Sequence, residues 1–162
     1  EKLQIKQEDL QIKGHAMELR VYAEDPLNDF LPSVGNLEVY KLPVGEGIRV
    51  DNGFEQGMDV PIYYDPMLSK LITYGKTREE AIQKMIEAIT AYEVKGVSTT
   101  LPFGTFVMQH EAFRSGHFDT NFVKKYYDSE KLKEAQTAEA EIAALVALKQ
   151  YLKDQKLVRL PN

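Results

Sequence analysis

Cysteine is absent from the 162 residues. That excludes a disulfide framework, a cysteine-based metal site and a thiol nucleophile. It also fits a reducing compartment, and the cytoplasm is the expected location. Histidine is scarce. His15, His110 and His117 are scattered, and each reads as a structural or surface residue rather than a catalytic one. Positive charge is in deficit: 20 Lys and Arg against 25 Asp and Glu give a net charge of -5. With no basic stripe carrying interleaved aromatics, nucleic acid is not an expected partner. No apolar run approaches the ~20 residues of a helical membrane span, so no membrane is expected either. There is no glycine-rich phosphate loop followed by Lys and Ser or Thr, no His-Glu-x-x-His and no Gly-x-Ser-x-Gly. Gly45-Glu46-Gly47 lacks the strand-to-helix context of a nucleotide loop and reads as a hairpin turn. The start, Glu1-Lys2-Leu3-Gln4, has no initiator Met and no basic segment leading into an apolar one. The expectation is a segment of a longer chain, without a signal peptide.

What remains is an ordinary globular composition, 43% hydrophobic and 28% charged. It divides into three zones. Residues 1–75 hold five of the seven prolines and four candidate strands, about 14–22, 36–42, 47–51 and 67–74. Gly35-Asn36, Gly45-Glu46-Gly47 and Asp51-Asn52-Gly53 are turn signals between them, and Asn52-Gly53 suits positive φ. No long helical pattern interrupts these strands, so antiparallel pairing is expected. Residues 76–127 are helical. Thr77-Arg78-Glu79-Glu80 is a capping box, and Ala81, Ile82, Met85, Ile86, Ile89 and Tyr92 follow at helical spacing. Gly96 is the expected terminator. A second helix is predicted from Thr99 to His110 with Pro102 in its first turn, and a short third one from Thr120 to Tyr127. Residues 128–157 form one long helix candidate, capped by Asp128 or Ser129 and spanning roughly 40 Å. Its stripe of Leu132, Ala135, Ile142, Leu145, Val146, Leu148 and Leu152 either packs across the domain or docks a partner. The predicted fold class is α+β: a mainly antiparallel sheet in the N-terminal half, covered by helices, plus a long C-terminal helix.

The richest stretch runs from Gly14 to Pro26. Strand alternation puts Glu18, Arg20 and Tyr22 on one face and Met17, Leu19 and Val21 on the core face. An acid, a guanidinium and a phenol therefore stand in a row. Two readings are open on this pattern. Glu18 and Arg20 are a structural ion pair on a solvated face, or Arg20 is an arginine held on a rigid strand and aimed at an anion.

Gly14-His15-Ala16-Met17-Glu18-Leu19-Arg20-Val21-Tyr22-Ala23-Glu24-Asp25-Pro26 and Phe30-Leu31-Pro32-Ser33-Val34-Gly35 closely resemble the start of the C-terminal domain of biotin carboxylase. The resemblance continues through Gly47-Ile48-Arg49-Val50-Asp51, through Val60-Pro61-Ile62-Tyr63-Tyr64-Asp65-Pro66-Met67-Leu68-Ser69-Lys70-Leu71-Ile72, and through Thr120-Asn121-Phe122. It covers residues 1–127, leaving 128–162 as a helical extension. Biotin carboxylases use Mg-ATP and bicarbonate to carboxylate biotin on its carrier domain. The resemblance thus implies ATP, biotin and bicarbonate, with Mg2+ or Mn2+ held by an ATP-grasp domain that precedes this segment in the family. The implied partners are that ATP-grasp domain, the biotin carboxyl carrier domain, a second copy in a homodimer, and a carboxyltransferase subunit. The fragment alone is expected to be inactive and to hold no metal. The extension points to an acetyl- or propionyl-CoA carboxylase. A pyruvate carboxylase is the alternative within the family, and a non-catalytic docking domain is the alternative outside it.

Residue by residue, the resemblance puts the catalytic arginine on Arg20. Its implied role is to stabilise the enolate-like ureido oxygen of biotin as N1′ loses its proton. A preorganised guanidinium does this better in a dry site than in water. Glu18 and Asp65 are the acids implied to support Arg20, with Asp65 as a buried anchor or as a cap for the turn before Pro66. Phe122 matches a wall of the adenine pocket. Val123 stands where the family often has a His, which removes one polar contact. Arg49 matches an arginine of the dimer interface, and Glu46 replaces an aromatic beside it, so a Glu46–Arg49 surface pair is expected.

Overall fold

Leu71 marks the centre of the sheet. It lies on β8 (Met67–Gly75), with Leu19 of β1 (His15–Tyr22) on one side and Val50 of β6 (Ile48–Asn52) on the other. These three antiparallel strands run in the order β1-β8-β6. The computed structural model describes residues 4–61 and 63–157; in the last helix it describes the side chains at 129, 130, 133, 137 and 141–153. On β8, Ser69, Leu71, Thr73 and Gly75 are buried while Tyr74 is exposed, so alternation turns one face inward.

Helix α1 (Arg78–Ala91) covers that face with Ala81, Ile82, Met85, Ala88 and Ile89, all buried. Their spacing is the helical stripe read from the sequence. The Thr73 hydroxyl donates to the Ala81 carbonyl at 2.8 Å and pins the helix start to β8. Thr77 caps α1 by accepting from the Glu80 amide at 3.2 Å. The second half of the expected capping box is not made. Glu80 instead accepts from the Lys76 amide at 2.8 Å and pairs with Lys84 at 3.2 Å. The Lys76 amide first, and then the Lys84 ammonium, hold the Glu80 carboxyl below its usual range.

The remaining strands form three two-stranded antiparallel pairs. They are β2 (Glu24–Asp25) with β3 (Leu31–Pro32), β4 (Gly35–Asn36) with β7 (Asp59–Val60), and β5 (Val39–Lys41) with β9 (Glu93–Lys95). This pairing corrects three turn assignments. Gly35-Asn36 is a strand segment rather than a turn. Gly45–Gly47 is a turn, with the Ile48 amide on the Gly45 carbonyl, but β5 and β6 on either side pair elsewhere, so it closes no hairpin. Asn52 ends β6, and the Gly53 amide continues the ladder onto the Leu68 carbonyl without positive φ; Gly57 takes φ +88 in the turn that follows. Gly96 does not end α1 either. Tyr92 turns extended (φ -84, ψ 112), the chain runs on as β9, and Gly96 at φ +100 turns after it. A side chain there would collide with the Asn36 carbonyl oxygen.

Tyr92 leaves the helix because its ring and hydroxyl belong to the core. Its hydroxyl lies 2.9 Å from Ser69 Oγ and donates to the Tyr40 hydroxyl at 2.8 Å, which in turn donates to Asn52 Oδ1 at 2.7 Å. Burial raises the phenol pKa of both tyrosines. Tyr92→Phe leaves the Ser69 and Tyr40 hydroxyls without their shared partner. It is expected to cost about 1–3 kcal/mol, read as a lower urea midpoint at unchanged slope.

Helix α2 (Leu101–Gln109) follows with Pro102 in its first turn, as predicted. It packs close to β1, since a Cβ on Gly104 would lie 2.5 Å from Leu19. Helix α3 (Glu111–Ser115) has no counterpart in the sequence-based prediction. It is fixed by Arg78, whose guanidinium donates to the Phe113 carbonyl and lies over the Phe113 ring at 4.9 Å, and by an Arg114–Glu79 pair. The described residues up to 121 form one compact unit and those from 122 to 157 another. The second holds α4 (Phe122–Tyr126) and α5 (Ser129–Leu157), with Asp128 accepting from the Glu130 amide. Of the apolar stripe, Ile142, Leu145, Val146, Leu148 and Leu152 are exposed, and the side chains of Leu132 and Ala135 lie outside the described set. The fold class is α+β with antiparallel sheets, as the sequence implies.

Candidate functional site

The outer face of β1 carries the site. Met17 and Val21 are buried and Leu19 is partly buried, which turns Glu18 and Arg20 outward as alternation requires. Arg20 Nε donates to Glu18 Oε1 at 3.4 Å, with the two side chains 61% and 45% exposed. The Tyr22 hydroxyl first, and Glu18 second, raise the Arg20 guanidinium above its ordinary pKa. Acid, guanidinium and phenol thus act as one row. Across the sheet, Arg20 faces Lys70 on β8, and Lys70 faces Asp51 on β6. Glu18 beside Arg20 and Asp51 opposite Lys70 set an acid next to each of these two cations, which offsets the like-charge pair across the strands.

The strand is held at Arg20 by a residue that the sequence does not single out. Thr100 Oγ1 accepts from the Tyr22 amide at 3.0 Å and donates to the Arg20 carbonyl at 3.1 Å. Beyond β1 the chain turns through Asp29 and Phe30, both at positive φ (50 and 57). Phe30 packs edge-on to Phe103 of α2 at 5.1 Å, which ties the turn to that helix. Sequence spacing signals Tyr22 through the i, i+2 rule, but no local pattern brings Thr100, 78 residues on, to the same strand.

The other expected site residues fall into separate places. Asp65 is exposed rather than a buried anchor, and its Oδ1 accepts from the Met67 amide at 3.0 Å, the turn-capping alternative. Its charge, after burial, raises the pKa of nearby Glu24. Glu18 is therefore the acid that reaches Arg20. Arg49 is exposed and pairs with Asp51 through Nε at 3.1 Å and Nη2 at 3.1 Å. The expected Glu46 partner gives way because Asp51 lies two residues along the same strand face, while Glu46 sits in the turn before β6. Phe122 belongs to the second unit, is buried, and has its ring 5.1 Å from Tyr126; Val123 is exposed. Among the described residues no three His, Cys, Asp or Glu side chains cluster as a metal site.

Chemically, this face presents one permanently protonated, forked donor on a rigid strand, with an acid and a phenol to orient it. It suits a developing negative charge on a planar acceptor.

Comparison with known proteins identifies the family. Residues 18–125 match the family model described as biotin carboxylase C-terminal domain. A pyruvate carboxylase subunit of Methanothermobacter thermautotrophicus is 46% identical over 126 residues, 78% of this chain and 26% of the relative. The mitochondrial propionyl-CoA carboxylase alpha chain of Mus musculus is 46% identical over 127 residues, 77% of this chain and 18% of the relative. The biotin carboxylase domain dimer of Hydrogenobacter thermophilus 2-oxoglutarate carboxylase, solved with magnesium ADP and bicarbonate, matches at TM-score 0.77 and 37% identity. That match covers 79% of this chain and 29% of the solved one. The chain thus spans less than a third of the proteins it matches. Its β1–β8–β6 sheet, its helical cover and the strand that presents Arg20 all lie within the matched region or at its edge, and the chain belongs to the biotin carboxylase C-terminal domain family.

Proposed function

We propose that this chain is the C-terminal portion of an ATP-dependent biotin carboxylase, with residues 1–127 as the domain and 128–162 as a helical extension. The observation that carries the reading is Arg20, exposed on β1 and flanked by Glu18 and Tyr22. Carrier-bound biotin supplies a ureido group whose oxygen gains negative charge as N1′ is deprotonated. Arg20 holds a positive charge against that oxygen at any working pH, and the effect grows as the carrier excludes water. Glu18 and Tyr22 orient the guanidinium. Asp65 supports the same corner through the backbone before β8. Phe122 contributes an apolar wall beside the adenine, and the Arg49–Glu46 surface contributes to a homodimer.

Mg2+ or Mn2+ and most contacts to ATP are assigned to an ATP-grasp portion outside this chain, with bicarbonate as substrate. The fragment by itself is then inactive and works in the cytoplasm as part of a carboxylase with carrier and carboxyltransferase partners. The proposed final acceptor is acetyl- or propionyl-CoA, supported by the mouse relative. Pyruvate is the second reading, favoured equally by the archaeal one. A non-catalytic docking role for the extension is a further alternative, supported by the exposed Ile142, Leu145, Val146 and Leu148.

The test uses the intact subunit with ATP, Mg2+, bicarbonate and biotinylated carrier. Bicarbonate-dependent ATP cleavage and carboxylated carrier are expected, and neither product forms if the reading is wrong. Glu18→Gln should lower carboxylation by no more than about fivefold, because an exposed, solvent-screened pair contributes little. A hundredfold loss would make Glu18 itself part of the chemistry.

A further inference from the structure

Thr100 stands where α2 begins, and a threonine there ordinarily turns its hydroxyl onto the helix's own first amides. It does not do so: Thr100 makes no side-chain cap. The side chain is buried, at 5% exposure, and its hydroxyl is committed to a strand far away in sequence. Oγ1 accepts from the Tyr22 amide at 3.0 Å and donates to the Arg20 carbonyl at 3.1 Å, while the Thr100 amide donates to the Tyr22 carbonyl at 3.1 Å.

These three bonds fall on one edge of β1. Alternation sends the backbone groups of Leu19 and Val21 one way and those of Arg20 and Tyr22 the other. β8 occupies the first edge, and β1 is the outer strand of its sheet. The ladder to β8 also breaks just past Arg20. Val21 faces Ser69, but Tyr22 faces Met67, so one residue of β8 is skipped. Such a bulge loosens pairing and re-aims side chains nearby. Thr100 supplies hydrogen bonds where the ladder falters.

We infer that Thr100 is a positioning residue for Arg20: its hydroxyl bridges the Arg20 carbonyl and the Tyr22 amide, and so fixes the peptide that follows the Arg20 Cα and the direction of the guanidinium. The inference rests on the proposed role of Arg20. A guanidinium displaced by about 1 Å loses on the order of a hundredfold in rate, whereas binding and steps that do not involve it are untouched.

The experiment compares Thr100→Val, Thr100→Ser and Arg20→Ala in the intact subunit. T100V keeps the shape and loses the hydroxyl. Its kcat for carrier carboxylation should fall on the order of 10- to 100-fold, with KM for the carrier and bicarbonate-dependent ATP cleavage unchanged. T100S, which keeps the hydroxyl, should restore kcat. Thr100→Ala is read in the same way if T100V does not fold. In the wild-type subunit the Tyr22 amide should exchange with deuterium as slowly as the Val21 amide, although it lies on the edge away from β8. An active R20A overturns the reading of Arg20. An inactive R20A beside a fully active T100V overturns this inference alone. So does fast exchange at Tyr22, a parallel loss of ATP cleavage in T100V, or a T100S that fails to rescue.

Discussion

Arg20→Ala in the intact subunit is expected to lower carrier carboxylation by roughly 10²–10³-fold, the usual cost of removing one preorganised donor from a developing oxyanion. Magnitude separates the two readings of this residue. As half of a surface ion pair with Glu18, 3.4 Å apart and largely exposed, Arg20 would add little to stability, because solvent screens the pair, and nothing to the rate. As the group that meets a forming negative charge, it acts when biotin and its carrier have displaced water, where the same charge is worth several times more. Arg20→Lys keeps the charge but loses the planar fork, so it should recover part of the rate and not all of it. Circular dichroism and melting of both variants should match the wild type, since the Arg20 side chain lies outside the core.

Leu71→Ala is the second large effect, and it is structural. Leu71 has no exposed surface, lies mid-strand on β8, and has Leu19 and Val50 as cross-strand neighbours beneath α1. Removing its side chain opens a cavity that strands on both sides cannot close without breaking their ladders. The expected cost is about 2–5 kcal/mol, against a total of roughly 5–15 kcal/mol for a domain. At about 2–4 °C per kcal/mol for a chain of this size, melting should fall by 4 °C or more. A loss below about 1 kcal/mol would show that the sheet centre lies elsewhere. Because β8 is also the partner that fixes β1, the variant links core packing to the placement of Arg20.

Periodicity made the central architecture legible. The alternation of Met17, Leu19 and Val21, the strand at about 67–74 and the stripe from Ala81 to Ile89 are each local signals of burial, and the structure turns them inward, with Leu19 and Ile86 only partly buried. The turns were less legible because a glycine reports only what conformation is allowed. Gly35 and Gly53 could each serve as punctuation, and pairing across the chain decided otherwise, while Gly96 turns the chain after β9 and not after α1. β5 meets β9 rather than β6, and no nearby residue encodes that choice. Tyr92 lies in phase with the helical stripe and still leaves the helix, because Ser69 and Tyr40 offer its hydroxyl a buried partner network. The same limit applies at the site. Glu18, Arg20 and Tyr22 share a face by spacing alone. Family pattern places Asp65 near them, and the structure turns it onto the Met67 amide. Thr100 reads from sequence only as part of a helix start, since its partners lie 78 and 80 residues away.

Arg20 acts, on this reading, in the carboxylation of biotin and not in folding or in the use of ATP. One reaction separates these roles: wild-type and Arg20→Ala intact subunits, given ATP, Mg2+, labelled bicarbonate and biotinylated carrier, with phosphate release and label on the carrier measured together. Label transfer should fall by roughly 10²–10³-fold while bicarbonate-dependent phosphate release stays near the wild-type rate. Label transfer at the wild-type rate in Arg20→Ala would rule that role out, as would loss of both activities in step.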